Sequence, residues 1–296
     1  MQRKLISLLL FMVILGSVYA QKDTVKHLSK GGFFSLTFNQ VSLSNWAAGG
    51  EDALSATGIA NFFANYKKEK SVWDNSLDLG YGLLKSGSNK IRKNEDKLEF
   101  NSKYGYRAFD NVYYSALLNY RSQFASGYNY PNDSTVVSKF NAPGYLSISI
   151  GLDYKPNAFL SVYLSPMAGR MTFVSDRKLA DAGAYGVDPA VYNSSNQKIK
   201  DGKKCRFEFG ATFSARYQKD VVKNVNIASK LLLFNNYTDK VKKNRGNIAV
   251  NWETMINMKT GKYLTTSILT NLIYDQNVIR RTQFKEAIGV GLSYKF

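Results

Sequence analysis

Apolar and polar residues alternate with a period of two along almost the whole chain from residue 32 onward. In the closing stretch AIGVGLSYKF, every second residue counted back from Phe296 is apolar or aromatic, and the residues between them are small, polar or basic. Successive side chains of a β-strand point to opposite faces, so the pattern predicts strands with one apolar face. We count twelve such segments, most of them about ten residues long, which is enough for a tilted strand to cross a bilayer.

The connections between these segments distinguish a membrane barrel from a soluble β-sandwich, which would also alternate. Brief connections (KKEK, FDN, KPN, QKDVVKN and KTGK) take turns with longer ones at 40–53, 86–97, 125–143, 174–204, 235–246 and 275–284. Outer-membrane barrels have short periplasmic turns and longer outer loops, whereas the fold of a soluble sandwich does not require short and long connections to alternate. Residues 32–296 are therefore predicted to form an all-β fold, a transmembrane antiparallel up-and-down β-barrel of about 12 strands.

The first 20 residues, MQRKLISLLLFMVILGSVYA, have the features of a secretory signal peptide. Arg3 and Lys4 form a basic start, and residues 5–16 form an apolar run too short to anchor the chain in a bilayer. Small residues precede a predicted cleavage site between Ala20 and Gln21. Export followed by a barrel predicts the outer membrane of a Gram-negative bacterium, with residues 21–31 as a short basic periplasmic segment.

The last residue has a predicted role in closing the barrel. In lipid every backbone donor and acceptor must be paired, so the last strand has to close against the first. Phe296 and Tyr294 then lie where an aromatic girdle meets the periplasmic interface. This terminal pattern resembles the insertion signal of bacterial outer-membrane proteins, and the resemblance implies a transient contact with the barrel-assembly machinery.

A second resemblance covers residues 38–85, FNQVSLSNWAAGGEDALSATGIANFFANYKKEKSVWDNSLDLGYGLLK. The stretch NWAAGG at 45–50, FFANY at 62–66 and the segment from Trp73 to Lys85 are similar to an uncharacterised family of outer-membrane β-barrels found in Bacteroidetes-type bacteria, a conserved domain of unknown function. The likeness extends more loosely along most of the chain. It implies a fold class and a compartment, and it supplies no activity or site residue.

The loop motif around Trp46 has two interpretations. Gly49 and Gly50 permit backbone angles closed to other residues, and Trp46 offers a large flat surface with one donor. The motif could fold over a pore mouth or contact a sugar ring. Alternatively, Trp46 belongs to an interface belt beside a tight turn.

Charged residues also occur on the predicted inner faces of the strands. We expect Arg107, Arg121, Arg206, Glu208 and Arg216 to face the lumen, with Arg206 and Arg216 flanking Glu208 in a ladder of alternating charge. Basic side chains could form a narrow channel for small, anionic solutes. Equally, they could pair with acidic side chains and plug a slim barrel, which would then be a structural or accessory protein.

Catalytic chemistry finds little support in the residues. His27 is the only histidine and lies before the first predicted strand, which disfavours histidine-dependent hydrolysis and multi-histidine metal sites. Acidic residues occur on the predicted inner faces, but no motif places two of them together. We therefore predict no enzyme, no catalytic residues, no cofactor and no metal site, with a membrane hydrolase as a third, weaker hypothesis.

The net charge of +18 comes largely from the predicted outer loops. Lysines and arginines there could bind the phosphates of lipopolysaccharide, or they could remain solvated. Nucleic acid is a poor partner for an exported barrel. Partners expected from the sequence are outer-membrane lipids and lipopolysaccharide, and the barrel is expected to be a monomer.

Overall fold

The computed structural model describes residues 27–44, 50–130, 132–261 and 263–296. The predicted signal peptide, the cleavage site at Ala20 and Gln21, and most of the 21–31 segment lie outside these residues, as do Trp46 and Gly49. Among the described residues, no helix is long and apolar enough to cross a bilayer.

Twelve antiparallel strands form a closed barrel, in which each strand pairs with the barrel strands before and after it in the chain. This confirms the predicted fold class. The barrel strands are β1 Leu28–Val41, β2 Ala53–Lys68, β3 Ser71–Ser86, β4 Arg92–Phe109, β5 Val112–Ser122, β8 Gly144–Asn157, β9 Leu160–Phe173, β12 Cys205–Val222, β13 Val225–Asn236, β14 Ile248–Thr260, β15 Leu264–Asp275 and β16 Ile279–Lys295. Two small hairpins lie in the loops and comprise β6 Gly127–Tyr128 with β7 Val136–Ser138, and β10 Val191–Tyr192 with β11 Lys198–Lys200.

The two ends of the barrel differ in their connections. One end, here called the turn end, carries His27, Phe296 and the tight turns. The opposite end, here called the loop end, carries the longer connections. Asn111 and Asn224 adopt positive φ values of 61° and 68° in these turns. Asparagine tolerates this left-handed backbone better than most residues, which favours a sharp reversal.

Three predicted boundaries differ from the structure. The predicted loops at 86–97 and 275–284 shrink to 87–91 and 276–278, because β4 and β16 continue as hydrogen-bonded strands beyond the apolar segments. Their polar ends keep strand geometry without an apolar face, so alternation does not reveal them. The first strand begins at Leu28, which pairs with Tyr66, rather than at residue 32.

The barrel wall is apolar outside and polar inside. Phe34 and Ile148 are 52% and 53% exposed on the outer face, whereas the neighbouring Ser35 and Ser149 are buried on the inner face. Water-soluble folds bury their apolar faces, and exposed apolar surface on this scale marks a contact with lipid or protein. The strand alternation therefore produces a belt of apolar side chains around the wall.

Pairing between β1 and β16 closes the barrel. The register runs from Phe33 opposite Lys295 to Phe38 opposite Val290. Gly32 and Phe296 then exchange two backbone hydrogen bonds, with N···O distances of 3.0 and 3.1 Å. Phe296 is thus the last residue of the closing ladder.

Gly291 in this ladder tests whether closure is required for folding. A Cβ at Gly291 would lie 1.9 Å from the Leu36 carbonyl oxygen, whereas a Cβ at Gly246 meets nothing within 4 Å. We expect Gly291→Val to destabilise the folded barrel by about 3 kcal/mol through overpacking and to leave much of the refolded sample unclosed. Gly246→Val is the matched control. Heat-modifiable gel mobility and urea titration measure the effect, and equal behaviour of both variants would contradict it.

Candidate functional site: the charged lumen

A cavity of about 1870 Å³ lies inside the barrel. Its lining extends from Asn111 and Asn224 in the turns at one end to Tyr185 and Val278 at the loop end. Because the small and polar faces of the strands point inward, most of the residues that line this space are polar or charged. The lumen is therefore the candidate functional site.

Four charged side chains meet across the middle of the lumen, and we call them the central ion cluster. Lys97 and Glu99 project from β4, Lys230 from β13 and Glu253 from β14. The last two strands lie five and six steps from β4 around a wall of twelve, so they are on the opposite side. Lys97 Nζ lies 2.6 Å from Glu253 Oε2 and 3.5 Å from Glu99 Oε2, and Lys230 bonds to Glu99. The cluster joins opposite walls and narrows the lumen.

Glu99 is the most buried member of the central ion cluster. Its side chain is 2% exposed, and it also accepts a 2.8 Å hydrogen bond from Asn119 Nδ2. A buried carboxylate is stable only where opposite charges and hydrogen bonds replace its hydration. Two lysines and an amide meet that requirement here.

A second group of ion pairs lies nearer the turn end. Lys103 Nζ is 2.7 Å from Asp153 and donates to Ser161 Oγ at 2.7 Å. Lys155 Nζ bridges Asp74 at 2.5 Å and Asp153 at 3.5 Å. These contacts link β3, β4, β8 and β9 on one side of the lumen.

A third group lies nearer the loop end. Arg170 on β9 contacts Glu208 at 2.7 Å and reaches Asp275 on β15 at 3.2 Å. Arg206 also contacts Glu208, at 3.1 Å, and Asn236 Nδ2 donates to the other oxygen at 2.9 Å. Glu208 is therefore shared by two arginines.

The predicted lumen residues occupy different levels. Arg206 and Glu208 form an ion pair, but Arg216 donates to Gln218 at 3.3 Å, so no continuous ladder links all three. Arg107 lines the cavity, and its side chain makes no ion pair with any described residue. Arg121 lines the cavity and stacks on Tyr145, 5.2 Å from the ring centre.

Gly50, from the predicted loop motif, has a φ of 123°, a backbone angle that suits glycine alone.

Sequence reasoning missed three ion-paired residues of the lumen, Lys97, Arg170 and Asp275. Lys97 and Asp275 fell in segments predicted to be loops. Arg170 follows Pro166, where β9 bulges against β8 by one extra residue, since Ser165 and Pro166 lie opposite Gly151 alone. Proline cannot donate to the ladder, and the bulge moves inward-facing positions from odd numbers such as Tyr163 to even ones such as Arg170. A proline within an alternating segment was the available signal.

The 174–204 loop, which we call the cap, folds over the loop end. Its helix α1, Arg177–Asp181, begins at Asp176, whose side chain accepts a hydrogen bond from Leu179 N at 3.1 Å. A small apolar core comprises Ala142, Val174, Ala180 and Val187. Tyr185 lines the cavity and donates to Val137 O in the neighbouring loop at 2.6 Å. The cap is therefore an ordered part of the loop end.

Asp188 ties the cap to the next loop. Its carboxylate oxygens lie 2.8 Å from Lys203 Nζ and 2.6 Å from Lys240 Nζ. These two hydrogen bonds lower the pKa of Asp188 to about 2. The tie is fully present above the ordinary aspartate pKa and is lost as the pH falls towards 2.

His27 Nδ1 lies 3.0 Å from the Lys67 carbonyl oxygen at the exposed turn end. Within the described ranges, no group of three or more His, Cys, Asp or Glu side chains is placed to hold a metal ion.

Residues 38–128 match a family described as "Protein of unknown function (DUF3078)". The match supports the resemblance to an uncharacterised domain family over this part of the chain. Comparison with curated proteins gives no match.

Several solved barrels are similar at low identity. An outer membrane channel from Pseudomonas putida F1 is 12% identical, with a TM-score of 0.39 over 93% of this chain and 99% of that one. The translocator domain of the autotransporter NalP from Neisseria meningitidis is 10% identical, with a TM-score of 0.39 over 100% and 96%. The outer membrane phospholipase from Salmonella typhi, a dimer with bound calcium, is 13% identical, with a TM-score of 0.38 over 92% and 94%.

The tie at Asp188 can be tested by proteolysis. Asp188→Asn removes the charge that holds Lys203 and Lys240, so we expect trypsin to cleave the cap severalfold faster at pH 7. Asp133→Asn, which breaks the 2.6 Å pair with Lys90 in other loops, is the matched control. Mass spectrometry identifies the cut sites, and unchanged cleavage within the cap would contradict the tie.

The free energy of unfolding is expected to depend on the acidic residues of the central ion cluster. Glu99→Gln leaves two lysines facing an amide in the lumen, so we expect it to lower the free energy of unfolding by about 3 kcal/mol. Glu253→Gln should lower the free energy of unfolding by less, about 1 kcal/mol. Lys97 still has Glu99 as a partner, and the Glu253 side chain is more exposed than that of Glu99. Urea titration of protein refolded in detergent measures both. An equal or reversed order would show that Glu99 does not organise the cluster.

Proposed function

We propose that the chain is an integral outer-membrane β-barrel, exported by its N-terminal segment. The support is the belt of exposed apolar side chains on a wall whose backbone hydrogen bonds close on themselves. Hydrocarbon tolerates such a wall because no edge is left unpaired, whereas water disfavours its apolar outer face. Basic loops at the loop end then lie where lipopolysaccharide phosphates would meet them.

We propose further that the barrel is a narrow channel for small hydrophilic solutes, with a preference for anions, and that its role is transport rather than catalysis. The observation that carries this proposal is the charged cavity that extends along the lumen. Twelve Lys and Arg residues line it against eight Asp and Glu residues, so the lining has a net positive charge. Such a lining attracts anions and repels cations.

A second candidate is a plugged accessory barrel that presents its loops to a partner or to lipopolysaccharide. The central ion cluster and the ordered cap favour it, because each lies in the path of a solute. In the channel proposal the same cluster is the constriction, and solutes pass beside it. The two candidates therefore differ in whether the lumen conducts.

Single-channel recording in planar bilayers separates these candidates. We expect small conductance steps from the refolded full chain, and steps at least about twofold larger from Lys97→Gln with Glu253→Gln, since both sides of the constriction lose their ion pair. Lys198→Gln with Asp201→Asn removes a 2.8 Å pair of the same type in the cap and is the control. Silent bilayers from correctly folded wild type and cluster variant alike would favour the plugged barrel.

A further inference from the structure

Arg121 is a cation in the lumen that interacts electrostatically with Glu99 but forms no ion pair with any described residue. It is the penultimate residue of β5, where it lines the cavity and registers with Glu99 on β4 and Tyr145 on β8. Its guanidinium lies on the Tyr145 ring at 5.2 Å and makes neither an ion pair nor a hydrogen bond with any described residue. A guanidinium has five donors, so this one has unused hydrogen-bonding capacity.

The carboxylates around Arg121 already have other partners. Glu99 is bonded to Lys230 and Asn119 and lies 3.5 Å from Lys97. Asp96 accepts from Lys93 at 2.7 Å and from the backbone N–H groups of Phe124 and Ala125.

Farther around the wall, Glu208 is shared by Arg170 and Arg206, and Arg170 also contacts Asp275. The nearby carboxylates thus bond to other groups, and the Arg121 guanidinium keeps hydrogen-bond donors that no described residue fills.

The surroundings of Arg121 form a compartment between the central ion cluster and the cap. Tyr145 and Tyr185 line this part of the cavity along with Arg121. Burial, with the nearby Tyr145 phenol, raises the pKa of Tyr185 to about 12, so that phenol stays neutral at physiological pH. Because Tyr185 already donates its O–H to Val137 O, the groups left to bind a small anion are the Tyr145 phenol and the Arg121 guanidinium.

We propose that Arg121, with Tyr145 beneath the cap, is a binding site for a small oxyanion, a carboxylate or a phosphate. Planar guanidinium groups bind such anions through two parallel N–H···O bonds. The proposal rests on the channel function and makes it more specific, because it identifies the residue at which an anionic solute binds transiently. A binding site between the constriction and the cap would select oxyanions over chloride.

Isothermal titration calorimetry on the full chain refolded in detergent tests the site with inorganic phosphate, and separately with acetate, at constant ionic strength. We expect saturable binding to the wild type and at least about tenfold weaker binding to Arg121→Gln, which removes hydrogen bonds from a charged donor. Arg121→Lys keeps the charge without the paired donors, so an intermediate affinity is expected. Arg280→Gln, an arginine outside the lumen cavity, is the matched control and should bind like the wild type.

Two results would overturn the site: no saturable binding to the wild type with either anion, or equal binding to the wild type and Arg121→Gln. If Arg121→Gln fails to show the folded gel mobility, the comparison of Arg121→Lys with the wild type decides, and equal affinity there counts against the site. Binding that depends on Arg121 in a protein that does not conduct would support the site and refute the channel. Conduction without Arg121-dependent binding would support the channel and refute the site.

Discussion

Closure of the sheet is the constraint on which the rest of the structure depends. Every barrel strand pairs with two neighbours, and the last pairing joins β1 to β16. An unpaired edge in hydrocarbon would cost several kcal/mol for each exposed backbone group, so the wall is stable in lipid only as a complete ring. Once the ring is closed, one face of each strand has to point outward and the other has to share a confined interior.

The confined interior explains why the lumen is organised by ion pairs. Inside this wall of twelve strands, Glu99 and Glu208 are 2% exposed, and opposite walls are joined by lysine and glutamate. Charges that meet there stabilise one another and limit the free passage. Arg121 has acidic neighbours that bond to other groups, and its remaining donors give this interior a proposed binding function.

Prediction from sequence succeeded where one face of a strand touches the outside of the barrel. Ile148 and Phe34 lie on the exposed face that their alternation predicts. It failed where a strand rises beyond the apolar belt, as in the first residues of β4, and where the bulge at Pro166 reverses the faces of β9. The predicted charge ladder on β12 is only partly realised, because Arg216 lies too far along the strand from Glu208 and has Gln218 as its partner.

The sequence by itself determined the fold class, the strand count and the faces of most strands, because these follow from a repeat of two residues that is local to each segment. Only the tertiary structure decided which charges meet. Lys97 and Glu253 are 156 positions apart in the chain and on opposite sides of the ring. Their contact depends on strand order, shear and barrel width, and none of these is encoded in the pattern of a single strand.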